Sequence, residues 1–372
     1  MSRPVIKFNT THQPEFFSEV RKRVNQHFKD KNVSKYANTE MKFKTFFMIS
    51  LYFIPMILMY SGVVTGLWPI MGMWGLMGFG MSGIGLSIMH DANHGAYSKN
   101  KMVNEAYGFL INFIGAYDAN WKIQHNMLHH SFTNINEYDG DIENPVMRFS
   151  PNQKRKRLYK YQAFYAPFLY ALMTLYWFIS KDFQRISTYN KKNLLGSQGL
   201  TYRKALGMAS FHKIWYLGLT LVLPILIVDL PWWQTFLGFI LMHGITGLLL
   251  ALIFQPAHVL EETEFFEADH NGSVENNWAI HQMKTTANFA NNARIFSWFI
   301  GGLNHQIEHH LFPKICHVHY RDISKIVEKT AKEFNVPYHQ HKTFYSALKS
   351  HFTLLNELGT GKYDLKLAQT KV

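Results

Sequence analysis

The sequence predicts an all-α integral membrane protein, with four transmembrane helices and a cytosolic helical cap that holds a histidine-rich dimetal site. Three observations predict this fold class. Long apolar segments carry no charged residue. The mean hydropathy of −0.13 is too low for a chain that lies entirely in lipid. Three histidine clusters stand just beyond apolar segments, where a water-facing cap can gather them.

Four apolar segments are candidates for crossing a bilayer. A helix needs about 20 apolar residues to cross the hydrocarbon core, at 1.5 Å per residue. The third segment is shorter, but Trp215 and Trp232 flank it, as is typical of membrane interfaces. The predicted spans lie at about 46–64, 67–89, 212–229 and 233–254.

Two other apolar segments, 103–116 and 163–179, are interpreted as interfacial. Basic residues stand on both sides of the second one, at 154–157 and at Lys181 and Arg185. The positive-inside rule disfavours a spanning segment with two basic flanks. Four crossings then place both termini and all three histidine clusters in the cytoplasm.

The predicted organisation has three parts. Residues 1–42 form a cytosolic N-terminal segment without a cleavable signal peptide, 43–358 a membrane domain, and 359–372 a polar, frayed C-terminal tail. The periodicity of 323–334 predicts an amphipathic helix in the cap.

The charge and the cysteine content exclude some classes of function. The net charge of +13 favours contact with an anionic membrane surface, and no nucleic-acid-binding motif accompanies it. Cys316 is the single cysteine, so no intramolecular disulfide can form. With no cysteine in the histidine clusters, iron–sulfur clusters and thiolate zinc sites are also excluded.

The spacing of the clustered histidines predicts two metal ions. On an α-helix, residues four apart share a face, whereas adjacent residues point about 100° apart and can reach different centres. One metal ion needs only three or four protein ligands. An all-imidazole pair of sites suits Fe, Zn or Cu, and beside lipid it favours O₂ chemistry. The clustered histidines are His90, His94, His125, His129, His130, His309 and His310.

The motifs HDANH at 90–94, HNMLHH at 125–130 and QIEHH at 306–310 resemble, in this order, those of the membrane fatty-acid desaturase family. Gln306 and the stretch 277–288 are similar to the front-end subgroup, which inserts a double bond between an existing one and the carboxyl end. The resemblance implies two iron ions (Fe²⁺/Fe³⁺), O₂ as oxidant, and two electrons per turnover from a small redox protein.

The same resemblance implies roles for individual residues. The seven clustered histidines become iron ligands, His258 joins them from just beyond the fourth span, and Gln306, His305 and His281 are lesser candidates. Ligating imidazoles usually bond a carboxylate or a carbonyl through their other nitrogen. The candidates for that role are Asp91, Asp139, Asp141, Glu261 and Glu308.

Three of these residues have a second interpretation from the sequence. Asp139 and Asp141 could instead shape the turn at 137–141. Trp121 is a candidate residue of the acyl channel, with simple packing as the alternative. His243, inside the fourth span, is interpreted as a packing hydrogen bond between helices.

The sequence leaves the substrate and the electron donor open. The acyl chain is carried by CoA or by a membrane lipid. No HPGG haem motif occurs, so ferredoxin or free cytochrome b5 is the expected donor, in a bacterial inner membrane. A hydroxylase or ketolase on the same scaffold is the alternative function. A non-enzymatic metal-binding membrane protein is a remote one, because its ligands should lie within the spans.

Overall fold

The computed structural model describes residues 5–370 and confirms an all-α membrane fold. The outermost residues of the two predicted terminal segments, 1–4 and 371–372, lie outside the described residues. Among the described residues, four helices are long and apolar enough to span a membrane, and each overlaps one predicted span. They are Thr39–Tyr60, Leu67–Asn93, Tyr202–Ile227 and Trp232–His258.

The chain divides into two compact units. Unit 1 contains the residues up to Tyr36, His125–Ala166 and the chain from Ile253 onward. Unit 2 contains Ala37–Gln124 and Pro167–Leu252.

Unit 2 holds three of the spanning helices and most of the fourth. The first two pack closely because Gly80 has no side chain: a Cβ there would lie 2.5 Å from the backbone nitrogen of Tyr52. Two spanning helices each contain a π-helical turn, at Ile84–Ile88 and Gly218–Val222. Shorter helices cover Lys101–Gly108, Phe109–Ile114, Asp118–Trp121, Met173–Tyr176, Trp177–Lys181, Asp182–Lys191 and Leu195–Gln198, and the α-helical segments Met89–Asn93 and Leu223–Ile227 end the second and third spanning helices.

The segment predicted to be interfacial at 163–179 belongs to a bent pair of helices. These helices, Arg157–Ala171 and Met173–Lys191, meet at a bend of 64°. By length and composition, the pair could also form one broken span, so the interfacial path stays a prediction. The other predicted interfacial segment, 103–116, falls on Lys101–Gly108 and the 3₁₀ helix Phe109–Ile114.

Buried polar groups in unit 2 bond to one another. Lys213 forms an ion pair with Asp182 and donates to the carbonyl of Gly115. Asn120 donates to the Asp182 carboxylate at 2.9 Å. These bonds join the third spanning helix to the segment that leads to the second histidine cluster.

His243 confirms its interpretation as a packing histidine. Its Nε2 is 2.9 Å from the hydroxyl of Tyr216 on the third spanning helix. Its Nδ1 is 2.9 Å from the hydroxyl of Thr174 in the bent pair. Both ring nitrogens of this buried side chain are therefore bonded.

In unit 1, the N-terminal helix Glu15–Asp30 packs on Tyr320–Glu333, which confirms the amphipathic helix predicted there. Their shared core also includes Ile307 and Leu311, so it anchors the helix of the third histidine cluster. The other helices are Lys122–His129, His130–Phe132, Arg157–Tyr161, Gln162–Ala171, Trp278–Thr285, Arg294–Phe299, Gln306–Leu311, His317–His319, Phe344–Thr360 and Lys362–Thr370.

Two features of unit 1 differ from the sequence predictions. Two small parallel sheets pair Lys7–Phe8 with Ser273–Val274, and Ala287–Phe289 with His339–His341. The predicted frayed tail is helical at Lys362–Thr370. It is held because Arg148 binds both carboxylate oxygens of Asp364, at 2.8 and 2.9 Å.

Candidate metal centre

The second histidine cluster lies on a π-helical segment, Lys122–His129, and the helical turn that follows. A π-helix bonds residue i to residue i+5, which brings residues five apart to one side. The Nε2 atoms of His125 and His130 are accordingly 3.2 Å apart. The rings of His125 and His129 stack with centroids 5.4 Å apart. The structure therefore gathers all three imidazoles, whereas α-helical spacing predicted that only His125 and His129 share a face.

The third cluster lies on the short buried helix Gln306–Leu311. The chain enters it through Gly301 and Gly302, whose positive φ angles of 67° and 65° favour glycine. The ring of His310 stacks on that of His130 at 4.4 Å, and the ring of His309 meets His130 edge-on at 4.5 Å.

His258 ends the fourth spanning helix and lies in the same group. Its ring centroid is 4.7 Å from that of His129 and 4.6 Å from that of His310. No spacing rule connects His258 to the clusters, and only the family resemblance pointed to it.

Unit 1 therefore contains two overlapping sets of three imidazoles. Within each set, the possible ligand atoms lie within 4.8 Å of one another, and every member is buried. His310 belongs to both sets. The first set is His129, His258 and His310, and the second is His130, His309 and His310.

Three of these imidazoles have one bonded nitrogen and one bare nitrogen. The Nε2 atoms of His129, His258 and His310 are buried and have no hydrogen-bond partner among residues 5–370. Their Nδ1 atoms are bonded, which fixes the ring orientation and leaves Nε2 for a metal. The Nδ1 partners are Asp139 Oδ2 at 3.1 Å, the Thr285 carbonyl at 3.2 Å and Gln282 Oε1 at 2.7 Å, respectively.

This donor set fits iron. Neutral imidazoles with an oxygen partner on the second nitrogen are the usual nitrogen ligands of iron, zinc and copper. Burial and the neighbouring imidazoles hold the pKa of His310 well below its ordinary value, so the ring is neutral and can coordinate. Burial alone would lower the pKa of His129, but the Asp139 carboxylate outweighs it and raises that pKa.

The Asp139 carboxylate shapes a turn and also bonds the candidate ligand His129. Its carboxylate accepts from His129 and also from the backbone N–H groups of Asn134 and Asp141, at 2.9 and 3.0 Å. Burial would raise the pKa of Asp139, but these bonds and His129 lower it. Asp141 itself lies 3.7 Å from His129 Nδ1. The Asp139 carboxylate therefore closes the turn and fixes the orientation of the His129 ring.

The first cluster belongs to unit 2. His90 and His94 lie on and just after the helix Met89–Asn93, with ring centroids 4.8 Å apart, as their spacing predicts. The Trp121 ring lies against both, at 5.7 and 5.6 Å. Asp91 Oδ1 is 3.9 Å from His90 Nδ1. The channel role of Trp121 stays a prediction.

Comparison with known proteins identifies the family. The family model for fatty acid desaturases matches residues 35–342, which include all three histidine clusters. The chain belongs to the fatty acid desaturase family. It is therefore an enzyme, an oxidoreductase of the membrane.

Several named relatives align with nearly the whole chain. The desaturase is 33% identical over 359 residues to an sn-1 linoleoyl-lipid 6-desaturase of Synechocystis sp., covering 95% of this chain and 98% of that protein. It is 34% identical to a protein of the same name from Arthrospira platensis, covering 96% of each. It is also 34% identical to an acyl-lipid (8-3)-desaturase of Physcomitrium patens, covering 97% of this chain and 75% of that protein.

Two carboxylates of the desaturase do not orient the ligands they were assigned to. Glu261 is exposed, and its backbone N–H donates to Ser350. The chain has turned to the surface three residues after His258, so the prediction for Glu261 is wrong. Glu308 is buried and accepts from Asn288 at 2.8 Å and Tyr338 at 3.0 Å.

The lesser ligand candidates have distinct surroundings. Gln306 is fully buried, and neither atom of its amide has a hydrogen-bond partner among the described residues. His305 is also buried, with Nδ1 3.9 Å from Glu308. His281 bonds the carbonyl of Thr133 through Nε2 at 2.7 Å. Gln306 and His305 stay predictions as ligands.

Four residues that contact the candidate ligands had no individual role in the sequence predictions. Gln282 and Thr285 accept from the imidazoles of His310 and His258, the Thr133 hydroxyl is 3.3 Å from His310 Nδ1, and the Tyr320 hydroxyl is 3.2 Å from His309 Nδ1. The family resemblance could have pointed to two of these residues. Gln282 and Thr285 lie in the stretch 277–288, whose family likeness was noted without a physical role.

Proposed function

We propose that this protein is an acyl-lipid front-end desaturase that binds two iron ions. The observation that supports the proposal is the pair of buried imidazole sets in unit 1, where His129, His258 and His310 each have a bonded Nδ1 and an Nε2 without a hydrogen-bond partner among the described residues. The other two histidines of the family motif, His90 and His94, lie in unit 2. The proposed ligands are His90, His94, His125, His129, His130, His258, His309 and His310, with Gln306 as a weaker one.

The residues of this chain prepare the site for oxidation of a C–H bond. When bound, the iron pair supplies O₂-dependent removal of two hydrogens: –CH₂–CH₂– + O₂ + 2e⁻ + 2H⁺ gives –CH=CH– + 2H₂O. Asp139, Gln282 and the Thr285 carbonyl hold three imidazoles in a fixed orientation. Such fixed orientation is the usual protein contribution when the cofactor carries the chemistry.

The proposed substrate is an acyl chain esterified to a membrane lipid. The two cyanobacterial relatives are named for a linoleoyl-lipid substrate and for position 6. The moss relative is likewise named for an acyl-lipid. We infer a lipid-linked chain that already has a double bond, with the new cis double bond on its carboxyl side.

The proposed electron donor is a separate carrier, ferredoxin or free cytochrome b5. The printed sequence contains no HPGG haem motif, and its net charge of +13 suits an acidic donor. By the positive-inside rule, we infer that the basic loops, and with them the histidines, lie on the cytoplasmic side. We infer a bacterial inner membrane.

Product analysis tests this function. The chain is expressed in a bacterial host that makes no polyunsaturated lipid, linoleate is supplied, and the double bonds of extracted lipids are located by mass spectrometry. A new double bond on the carboxyl side of the existing ones is expected in the lipid fraction. A hydroxylated or keto product would contradict the proposal and support the alternative function, a hydroxylase or ketolase.

A matched pair of histidine variants makes the assay specific. His310→Ala should give only the products of the empty host. His270→Ala alters an exposed histidine and should desaturate like the parent. Equal activity in both variants would contradict the assignment of the site.

A further inference from the structure

The helix Arg294–Phe299 of unit 1 presents an apolar side to the surface. Ile295 is 86% exposed, although aliphatic side chains of this size are usually buried. Trp298 and Phe299 are half-buried beside it. A globular surface in water gains nothing from exposing such a group, so this side suits a different environment.

A second exposed aromatic side chain lies on an element that packs against this helix. The ring of Phe296 packs on Phe344 at 4.9 Å, and Phe344 begins the helix Phe344–Thr360. The next residue, Tyr345, is 76% exposed. We call the side chains of Ile295, Trp298, Phe299 and Tyr345 the aromatic patch.

The patch lies on elements that are bonded to the end of the fourth spanning helix. His258, the last residue of that helix, bonds the Thr285 carbonyl, and the strand Ala287–Phe289 follows at once. The ring of Phe289 on this strand is 5.6 Å from that of Phe344. The patch is therefore connected to the point where the chain leaves the bilayer.

A second bond supports the same position. His351, on the helix that begins at Phe344, bonds the carbonyl of Val259 through Nδ1 at 2.8 Å. Val259 is the first residue after the fourth spanning helix. The helix Phe344–Thr360 is thus bonded to the chain just after the fourth spanning helix, and the helix Arg294–Phe299 packs on it through Phe296.

The composition of this surface is that of a membrane interface. Trp and Tyr are enriched at the headgroup level, and basic side chains bind lipid phosphates there. Exposed Arg294, Lys342 and Lys349 flank the patch in sequence. The carboxylate of Glu262 is bonded to His341 and to Ser350 rather than to these basic side chains.

Another helix of unit 1 shows how a water-facing side differs. On Tyr320–Glu333, the exposed residues are Arg321, Asp322, Lys325, Lys329, Lys332 and Glu333. Every one of them is charged. This helix therefore lacks the apolar exposure seen at Ile295, whereas other elements of unit 1 also expose apolar side chains, such as Phe164 and Leu365.

We propose that the aromatic patch inserts into the headgroup region of the bilayer and attaches unit 1 to the membrane independently of the spanning helices. Ile295 reaches the upper acyl region, the aromatic rings lie at the headgroups, and the basic residues contact phosphates. The patch helix leads through Gly301 and Gly302 into the third histidine cluster, so this attachment also fixes that cluster relative to the lipid surface. The proposal does not depend on the reaction catalysed.

Spin labelling of the full-length protein in phosphatidylcholine–phosphatidylglycerol nanodiscs tests the insertion. The single native cysteine, Cys316, is buried, so the labelled parent protein gives the background. Labels are placed at Ile295→Cys and, as a matched water-facing control, at Lys325→Cys. Collision with O₂, which concentrates in lipid, is compared with collision with a water-soluble nickel chelate.

The expected O₂-to-nickel collision ratio is several-fold higher at position 295 than at position 325. Equal ratios at the two positions would overturn the proposal. A label at 295 shielded from both reagents would also overturn it, because a protein surface would then cover the patch. If Ile295→Cys does not fold, Tyr345→Cys gives the second reading, with the same expected and contradicting results.

Discussion

Two buried histidine environments differ in one respect. In the spans of unit 2, both ring nitrogens of His243 are bonded, to Tyr216 and Thr174. In the cluster of unit 1, His310 bonds Gln282 through Nδ1, while its Nε2 is buried without a hydrogen-bond partner among residues 5–370. Both side chains are fully buried. Burial therefore does not separate a packing histidine from a proposed ligand, whereas the state of the second nitrogen does.

A bare nitrogen alone does not distinguish a proposed ligand, because several imidazoles must also lie close together. His281 also has a buried Nδ1 without a partner in the described chain. Its ring, however, is flanked by Phe8 and Phe266 at 5.3 and 4.7 Å. His310 faces other imidazoles instead. A ligand histidine thus combines one bonded nitrogen, one bare nitrogen and neighbours of the same kind.

The largest expected effect separates these two environments directly. His310→Ala removes the residue shared by both imidazole sets, so desaturation should fall to the level of the empty host and bound iron should decrease. His243→Phe should keep iron and activity. It should lose about 1–3 kcal/mol of stability for each buried hydroxyl left unbonded. Iron analysis, product assays and unfolding in detergent measure these results. Loss of iron in His243→Phe would break the comparison.

The buried ion pair of unit 2 tests whether satisfied polar groups there are structural. Lys213→Met leaves Asp182 buried without its cation, which should destabilise the protein by about 3–5 kcal/mol. The double variant Lys213→Met/Asp182→Leu should recover most of that loss, because no charge stays unpaired. Thermal unfolding in detergent measures both. An equally unstable double variant would contradict this account.

Removal of a partner that orients a ligand should have a smaller effect. Asp139→Asn leaves His129 in place but weakens the bond to its Nδ1, so iron affinity should decrease about 10–100-fold. Glu261→Gln is the matched control, because that exposed carboxylate contacts no ligand. Iron retention during dialysis against a chelator distinguishes them. Identical retention in the two variants would remove Asp139 from the site.

The smallest expected effect concerns pH. Burial raises the pKa of Glu308 to about 7, above its unfolded value of 4.5. The neutral form is therefore favoured in the folded state, and its stabilisation is present below the unfolded pKa and lost as pH rises through 7. In chelator-treated protein, Glu308→Gln should flatten the decrease in the unfolding midpoint between pH 6 and pH 8. An unchanged decrease would show that Glu308 does not titrate there.

The sequence predicted the spans and the clustered histidines because both depend on short-range patterns. The length of the apolar segments predicts the four spanning helices, and the repeated histidines near their ends predict the candidate ligands. The π-helical segment Lys122–His129 escaped prediction, since its sequence has no feature that distinguishes it from an α-helix. Its effect was to add His130 to the side shared by His125 and His129.

Hydrogen-bond partners that lie far from the histidines in the sequence could not be predicted either. The carboxylate nearest in sequence to His258 is Glu261, yet the Nδ1 partner is the carbonyl of Thr285, 27 residues away. Gln282 and Tyr320 likewise reach the ligands only through folding. For Asp139, proximity along the chain did indicate the hydrogen bond to His129, because a tight turn returns the carboxylate to that ring.

The central claim is that these histidines hold two iron ions, and metal analysis of the active protein tests it most directly. Protein purified without chelators, and shown to desaturate a lipid-linked acyl chain, is assayed for iron per chain by mass spectrometry. The account predicts two iron ions per chain, with desaturation lost when they are removed and regained when ferrous iron is restored. Full desaturation by protein that contains no iron would contradict it.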